Sequence, residues 1–399
     1  MNVFAKQGQK RRDAMWSVCP TSLYVHIPFC QSRCFYCDFN TYVAPPSLME
    51  SYTEALVQEL AWLGKEAQQP LQTVFFGGGT PTRLPIPLLK KVLAAVRAYF
   101  PLAPDVEWTV EANPGSTDVG KLETLLEAGV NRISFGAQTF SERLLMSIGR
   151  IHNVDDIASS VERAQSLGFQ RINLDLMFGL PEQSKADVEE SVKCALSLHV
   201  RHISAYWLKV EEGTPFFQWQ AADQLPLPGE DAEADMYGQV RELLESAYLR
   251  QYEISNFAER GAEARHNLVY WRNEPFFAAG AGAHGNVNGT RYENVSSLLE
   301  YCQMVANGRL PHASAISETY AEAAETTMIL GLRLRDGISL RRFEERFSAV
   351  PQQLFGEVWE SLFQQGYLQQ KGDFVSLPLQ YWAVSNEIFE KFVATVTED

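Results

Sequence analysis

The chain has 399 residues, with 34 Lys and Arg against 49 Asp and Glu, a net charge of −15 and a pI near 5.0. That length predicts one large domain with a smaller one beside it. The acidic balance excludes a nonspecific nucleic-acid binder held by phosphate contacts.

In chain order, residues 1–21 carry Lys6, Lys10, Arg11 and Arg12 with no apolar run behind them. They read as a flexible tail rather than a secretory signal, with Met15 as an alternative start. From 22 to 255, short apolar runs alternate with helical patterns. Strands are predicted at SLYVHI (22–27), TVFF (73–76), VEWTVEA (106–112), RISFG (132–136), RINLDLMFG (171–179) and HISAYWL (202–208). The first helix follows Pro45-Pro46. Ser47 with Glu50 predicts its capping box, and Leu56, Leu60 and Leu63 share a face. Further helices are predicted near 86–99, 117–128, 154–167, 185–198 and 231–248, with 214–231 as an insertion loop. Six strand–helix units predict an α/β fold, a partial (β/α)6 TIM-like barrel with a parallel sheet. A doubly wound open sheet is the alternative. Residues 256–316 read as a connecting region rich in Gly, Asn and aromatics. Residues 317–399 read as a smaller, mainly helical, winged-helix-like domain: helices at 318–335, 339–347 and 351–365, Gly366 as a stop, a hairpin turning at 371–373, and a last helix near 380–394. Residues 318–399 hold 13 acidic and 7 basic residues, which argues for docking rather than DNA binding. No run of 18 apolar residues occurs, so no transmembrane segment is expected.

The chemistry begins after the first strand, where Cys30, Cys34 and Cys37 form C-x3-C-x2-C. A structural zinc site takes four ligands in two knuckles, and no second C-x-x-C exists here. A [4Fe–4S] cluster usually takes four cysteines, so three leave one iron an open position. Cys19, Cys194 and Cys302 are scattered, which makes no disulfide framework and fits a reducing cytosol. GGGTPT at 77–82 follows the second strand, and consecutive glycines let backbone approach a ligand. Glu111, Gln138, Arg150 and Asp175 recur near later strand ends, where barrels build their sites. A carboxylate inside an apolar strand needs a partner. For Asp175 the structural alternative is an ion pair with Arg171. An arginine at position 150 is suited to clamp a carboxylate bidentately, and its alternative is a solvated surface residue.

These motifs resemble the radical S-adenosylmethionine (SAM) superfamily. YVHIPFCxxxCxYCDF, FFGGGTPT, EANPGS, ISFGAQTF, IGRIH and INLDLMFGLP are similar to the oxygen-independent coproporphyrinogen III dehydrogenases and their relatives, over about residues 20–390. The resemblance implies that Cys30, Cys34 and Cys37 hold a [4Fe–4S] cluster. It implies SAM contacts from Tyr24, Tyr36, Gly78, Gly79, Thr80, Glu111, Gln138, Arg150 and Asp175.

Two features separate branches of that family. The dehydrogenases carry a fourth cysteine two positions after the third, and here that position is Phe39. They also carry a longer N-terminal segment than the twenty or so residues expected before the first strand here. HNLVYW at 266–271 matches the H-N-x-x-Y-W motif of the heme chaperone branch. That branch implies heme as ligand and an acceptor hemoprotein in respiration as partner. His266, Asn267, Tyr270 and Trp271 are the expected heme residues, with His26 and His284 as rival ligands. An electron donor for the cluster is also implied, with a cytoplasmic location, peripheral to the membrane through a partner. The other reading is the dehydrogenase reaction, oxidative decarboxylation of coproporphyrinogen III to protoporphyrinogen IX.

Overall fold

Along β1 (Ser22–Ile27), Leu23, Val25 and Ile27 are fully buried among apolar side chains, while the alternate residues Tyr24 and His26 face the other way. The same period-two pattern runs through β2 (Leu71–Gly78), β3 (Leu102–Ala112), β4 (Arg132–Gln138), β5 (Arg171–Phe178) and β6 (His202–Trp207). Val74, Phe76, Trp108, Val110, Ile133, Phe135, Ile172 and Leu174 join the core under the helices. The opposite face carries the polar set that includes Glu107, Glu111, Ser134, Asn173 and Asp175. A computed structural model describes residues 19–396, so the tail expected at 1–21 lies outside the described residues up to residue 18.

The six strands are parallel in the order β6-β5-β4-β3-β2-β1. Helices Pro46–Leu63, Ile86–Tyr99, Val119–Ala128, Val154–Leu167, Lys185–Ser197 and Glu230–Ser246 alternate with them or follow them. This is the partial (β/α)6 barrel, and the doubly wound alternative falls because the strand order never reverses. The first helix departs from its expected cap. Pro45 occupies the N-cap and Pro46 starts the helix, with no side-chain cap from Ser47. Proline suits that first position because its missing N–H is unpaired there anyway.

Residues 250–316 add to the sheet at both edges. β7 (Arg250–Gln251) and β8 (Asn256–Ala258) extend it antiparallel beyond β6, and β9 (Phe277–Ala279) pairs parallel with β1. Three further strands, β10 (His284–Val287), β11 (Thr290–Asn294) and β12 (His312–Ser317), form a separate antiparallel sheet. Helix Arg265–Trp271 lies against the inward residues of β2 and β3.

Past residue 318 the chain forms helices Tyr320–Gly331, Leu340–Phe347 and Pro351–Gln364. Gly366, at φ 73°, ends the last of these. A hairpin of β14 (Gln369–Lys371) and β15 (Phe374–Ser376) follows and takes β13 (Ile338–Ser339) as its third strand, completing the winged-helix-like unit. The last expected helix is instead broken into 3-10 and α turns over 379–392. The insertion loop at 214–231 contains a helix, Pro215–Ala221, capped by Thr214. Among the described residues no helix is long and apolar enough to cross a membrane.

Candidate functional site

The cysteine loop is closed at its base by two backbone hydrogen bonds, from Cys30 to Tyr42 (3.0 Å) and from Tyr42 to Pro28 (2.6 Å). Three half-buried cysteines hang from it. Cys30 Sγ lies 3.7 Å from the Thr80 hydroxyl, and Arg150 Nη1 lies 3.6 Å from Cys34 Sγ. Burial pushes the Cys37 thiol up to about 11. Thiolates at such a site need an electropositive partner, which a cluster's iron supplies. No group of three or more His, Cys, Asp or Glu among the described residues is close enough to hold a single metal ion. Three cysteines on one loop with no fourth beside them fit a [4Fe–4S] cluster that keeps one iron open.

The glycine loop explains itself by space. A Cβ on Gly79 would come within 2.8 Å of the Phe29 backbone nitrogen, and one on Gly78 would meet the His26 ring at 2.4 Å, at a φ of 107°. Only glycine lets this strand end pass so close to the cysteine loop.

The cysteine loop and the glycine loop open on a cavity of about 320 Å³ lined by Cys34, Tyr36, Cys37, Gly78, Gly79, Glu111, Gln138, Arg150 and Asp175. Nine of the twelve residues expected to hold the cluster or SAM therefore meet there, and Thr80 and Cys30 stand behind that wall in contact with each other. Tyr24 lines the neighbouring cavity instead. Glu111 accepts from the Gly78 N–H at 3.2 Å, and burial, aided by the nearby Asp175, raises its carboxyl to about 8. A carboxylate this poorly compensated welcomes a cation. Asp175 accepts from Asn173 Nδ2 (2.7 Å) and from the Ser134 hydroxyl (3.2 Å), and burial raises it. Arg171 is not its partner: both Arg171 and Arg132 turn to Glu107, at 3.8 and 3.7 Å. Arg150 is half-buried and bonded within the protein rather than solvated. It donates to Asn113 Oδ1 at 3.1 Å and to the Gly136 carbonyl, and its Nε is a buried donor without a partner. Gln138 sits at φ 67° beside a register shift against β5, which aims its side chain into the cavity.

Four residues that contribute escaped sequence reasoning. Asn113 bridges Arg150 and the Thr80 hydroxyl, the latter at 2.9 Å; its signal was its place in EANPGS. Asn173 orients Asp175. Phe216 and Trp219 pack on Phe35 of the cysteine loop, and the Phe216 N–H donates to the Phe35 carbonyl at 3.1 Å.

The H-N-x-x-Y-W residues do not converge on one cavity. His266 is fully buried against the barrel interior, stacked on Phe75. Its Nδ1 meets the Thr73 hydroxyl at 2.7 Å and its Nε2 the Tyr270 hydroxyl at 2.9 Å, so neither nitrogen faces an open space. Burial lowers its pKa to about 3, keeping the ring neutral. Asn267 is half-buried. Trp271 faces the C-terminal unit under the Arg333 guanidinium, 5.5 Å from the ring, and lines a different cavity with Arg342 and Arg346. Tyr270 alone of the four lines the cavity next to the cysteine and glycine loops. His26 also has both nitrogens engaged, by Tyr24 and by the Asn40 carbonyl.

A family model described as the Radical SAM superfamily matches residues 24–195, and one described as the HemN C-terminal domain matches residues 319–382. The chain is 42% identical to "Heme chaperone HemW" of Bacillus subtilis, over 93% of this chain and 99% of that protein. It is 35% identical to the protein of the same name in Lactococcus lactis, over 94% and 97%. Among solved structures, Escherichia coli coproporphyrinogen III oxidase (HemN), titled a radical SAM enzyme, superposes with a TM-score of 0.83 over 97% of this chain and 93% of that one. At 21% identity that likeness speaks for the fold alone.

Proposed function

Because the chain belongs to the HemW family of heme chaperones within the radical SAM superfamily, we propose that it binds heme and hands it to an acceptor hemoprotein of respiration. The observation that carries this reading is the end-to-end match, 99% of a relative named as a heme chaperone at 42% identity. In this reading Cys30, Cys34 and Cys37 hold a [4Fe–4S] cluster. SAM lies over Gly78, Gly79 and Thr80, with Arg150 toward its carboxylate and Glu111, Gln138, Asp175, Tyr24 and Tyr36 around it. Bound together, cluster and SAM supply one-electron reductive chemistry, and an electron donor serves the cluster. The unpaired Nε of Arg150 and the under-compensated carboxyl of Glu111 support a zwitterionic ligand with a carboxylate and an ammonium. The H-N-x-x-Y-W motif acts on heme through Tyr270, which His266 fixes from below, with Asn267 and Trp271 holding the helix in place. The protein works in the cytoplasm and meets the membrane through its acceptor.

The alternative is dehydrogenation of coproporphyrinogen III. Phe39 stands against it, because the position that carries a fourth cysteine in those enzymes is here an apolar ring. An anaerobic assay with coproporphyrinogen III, dithionite and SAM separates the two. Heme binding without formation of protoporphyrinogen IX is expected, and clear turnover sinks the chaperone reading.

A further inference from the structure

A second cavity, of about 510 Å³, shares Asp38, Phe39, Gly78 and Glu111 with the first. Its size falls within the roughly 300–1,000 Å³ of small-molecule and cofactor sites. Its remaining walls are largely aromatic or imidazole: Tyr24, His26, Tyr270, Phe276 and His284. Two of its residues stand exposed beside it. Phe39 leaves 60% of its surface open at the mouth between the two cavities. His284 is exposed on β10 and faces Glu293, its cross-strand neighbour on β11, which also lines the cavity. His284 Nε2 lies 3.8 Å from that carboxylate.

We propose that this second cavity is the heme site, with His284 as an axial ligand of the iron and Phe39 stacked on the porphyrin face. The proposal rests on the heme-chaperone reading above. Three histidines contend, and two are spent: His26 and His266 each have both ring nitrogens engaged within the protein. His284 instead has a carboxylate on one side of its ring. At 3.8 Å that carboxylate does not engage the ring in a hydrogen bond, so the His284 imidazole is available to a metal with a carboxylate close enough to orient it once bound, as metal-bound histidines commonly arrange. Phe39 presents a flat apolar surface at the cavity mouth, and a porphyrin is flat and apolar at its centre. Covering an exposed ring of that size removes apolar area from water. The site also accounts for Phe39 itself, since a ring serves stacking where a thiol does not.

The full-length protein with its cluster reconstituted anaerobically is titrated with hemin, followed by the Soret band and by electron paramagnetic resonance. The wild type is expected to show a histidine-ligated spectrum. His284→Ala is expected to lose that signature, to bind at least tenfold more weakly and to regain the signature on addition of imidazole. Its SAM affinity should match the wild type, which reports an intact fold. Phe39→Ala is expected to keep the signature and bind roughly tenfold more weakly. A His284→Ala protein with the wild-type spectrum and affinity overturns the ligand assignment, and an unchanged Phe39→Ala overturns the stacking. A wild type that binds no hemin brings down the chaperone reading itself.

Discussion

Glu59 shows how single residues fasten the barrel edge that the site depends on. It lies in helix Pro46–Leu63 and is 1% exposed. It accepts from the Gly280 N–H (2.8 Å), Asn294 Nδ2 (2.7 Å) and the Tyr301 hydroxyl (2.5 Å). Gly280 immediately follows β9, so this carboxyl ties the added edge strand to the first helix. Burial raises Glu59 to about 7 despite those three donors. The folded state therefore holds its proton more tightly than the unfolded chain between the ordinary carboxyl range and about 7. That contribution to stability is present at low pH and is lost as pH rises through 7. Between pH 5 and 8 the wild type should lose roughly 2 kcal/mol more than Glu59→Gln, since each tenfold difference in proton affinity is worth about 1.36 kcal/mol. Urea titrations of both proteins at several pH values check this; parallel pH profiles would remove Glu59 as the cause. Nothing in the sequence around Glu59 distinguishes it from a solvated helix carboxylate, because its three donors come from positions 280, 294 and 301. Asp175 was legible because a carboxylate inside an apolar strand is anomalous locally, and Arg150, which follows the helix Glu142–Ser147, was legible only through its motif IGRIH. Their orienting partners Asn173 and Asn113 were not, since an asparagine near a turn is ordinary by itself.

At the scale of elements, strands and helices with strong local periodicity were readable, and those made by distant partners were not. Helices 86–99 and 154–167 run as expected because their apolar faces and ends are local. β9 consists of Phe277, Ala278 and Ala279, a sequence with weak strand preference that exists only through its pairing with β1. The insertion at 214–231 looked like a loop because its proline and polar residues mask a short helix whose Phe216 is fully buried. That helix braces the cysteine loop through Phe35, so its effect should reach the cluster. Phe216→Ala removes a buried ring, a change that costs about 3–5 kcal/mol. The variant is expected to lose iron to a chelator several times faster than the wild type while keeping SAM-competent strands. Timed iron release with bathophenanthroline measures it. Equal release rates would mean that the loop holds its shape without the brace.

Across the whole molecule, the parallel sheet delivers one strand end after another to a single rim, and the segments that follow β6 return to complete it. Helix Arg265–Trp271 enters the barrel from the connecting region, bonds Glu107 and Thr73 from inside and brings Tyr270 to the floor of the second cavity. The fold sets the two cavities side by side, with Gly78, Asp38, Phe39 and Glu111 as a shared wall. A wall with two faces makes binding on one side felt on the other. Glu111 touches both spaces with a carboxyl raised to about 8, so a cation on the first side draws out its charge. SAM is therefore expected to change hemin affinity, and hemin SAM affinity, by the same factor, with a coupling of about 1–3 kcal/mol. Glu111→Gln should abolish most of that coupling, beyond any direct loss of SAM affinity, because the amide cannot change charge. Calorimetric titration of each ligand with and without the other measures the coupling in both directions. Factors near unity in the wild type would show that the shared wall is rigid and that the two cavities act independently.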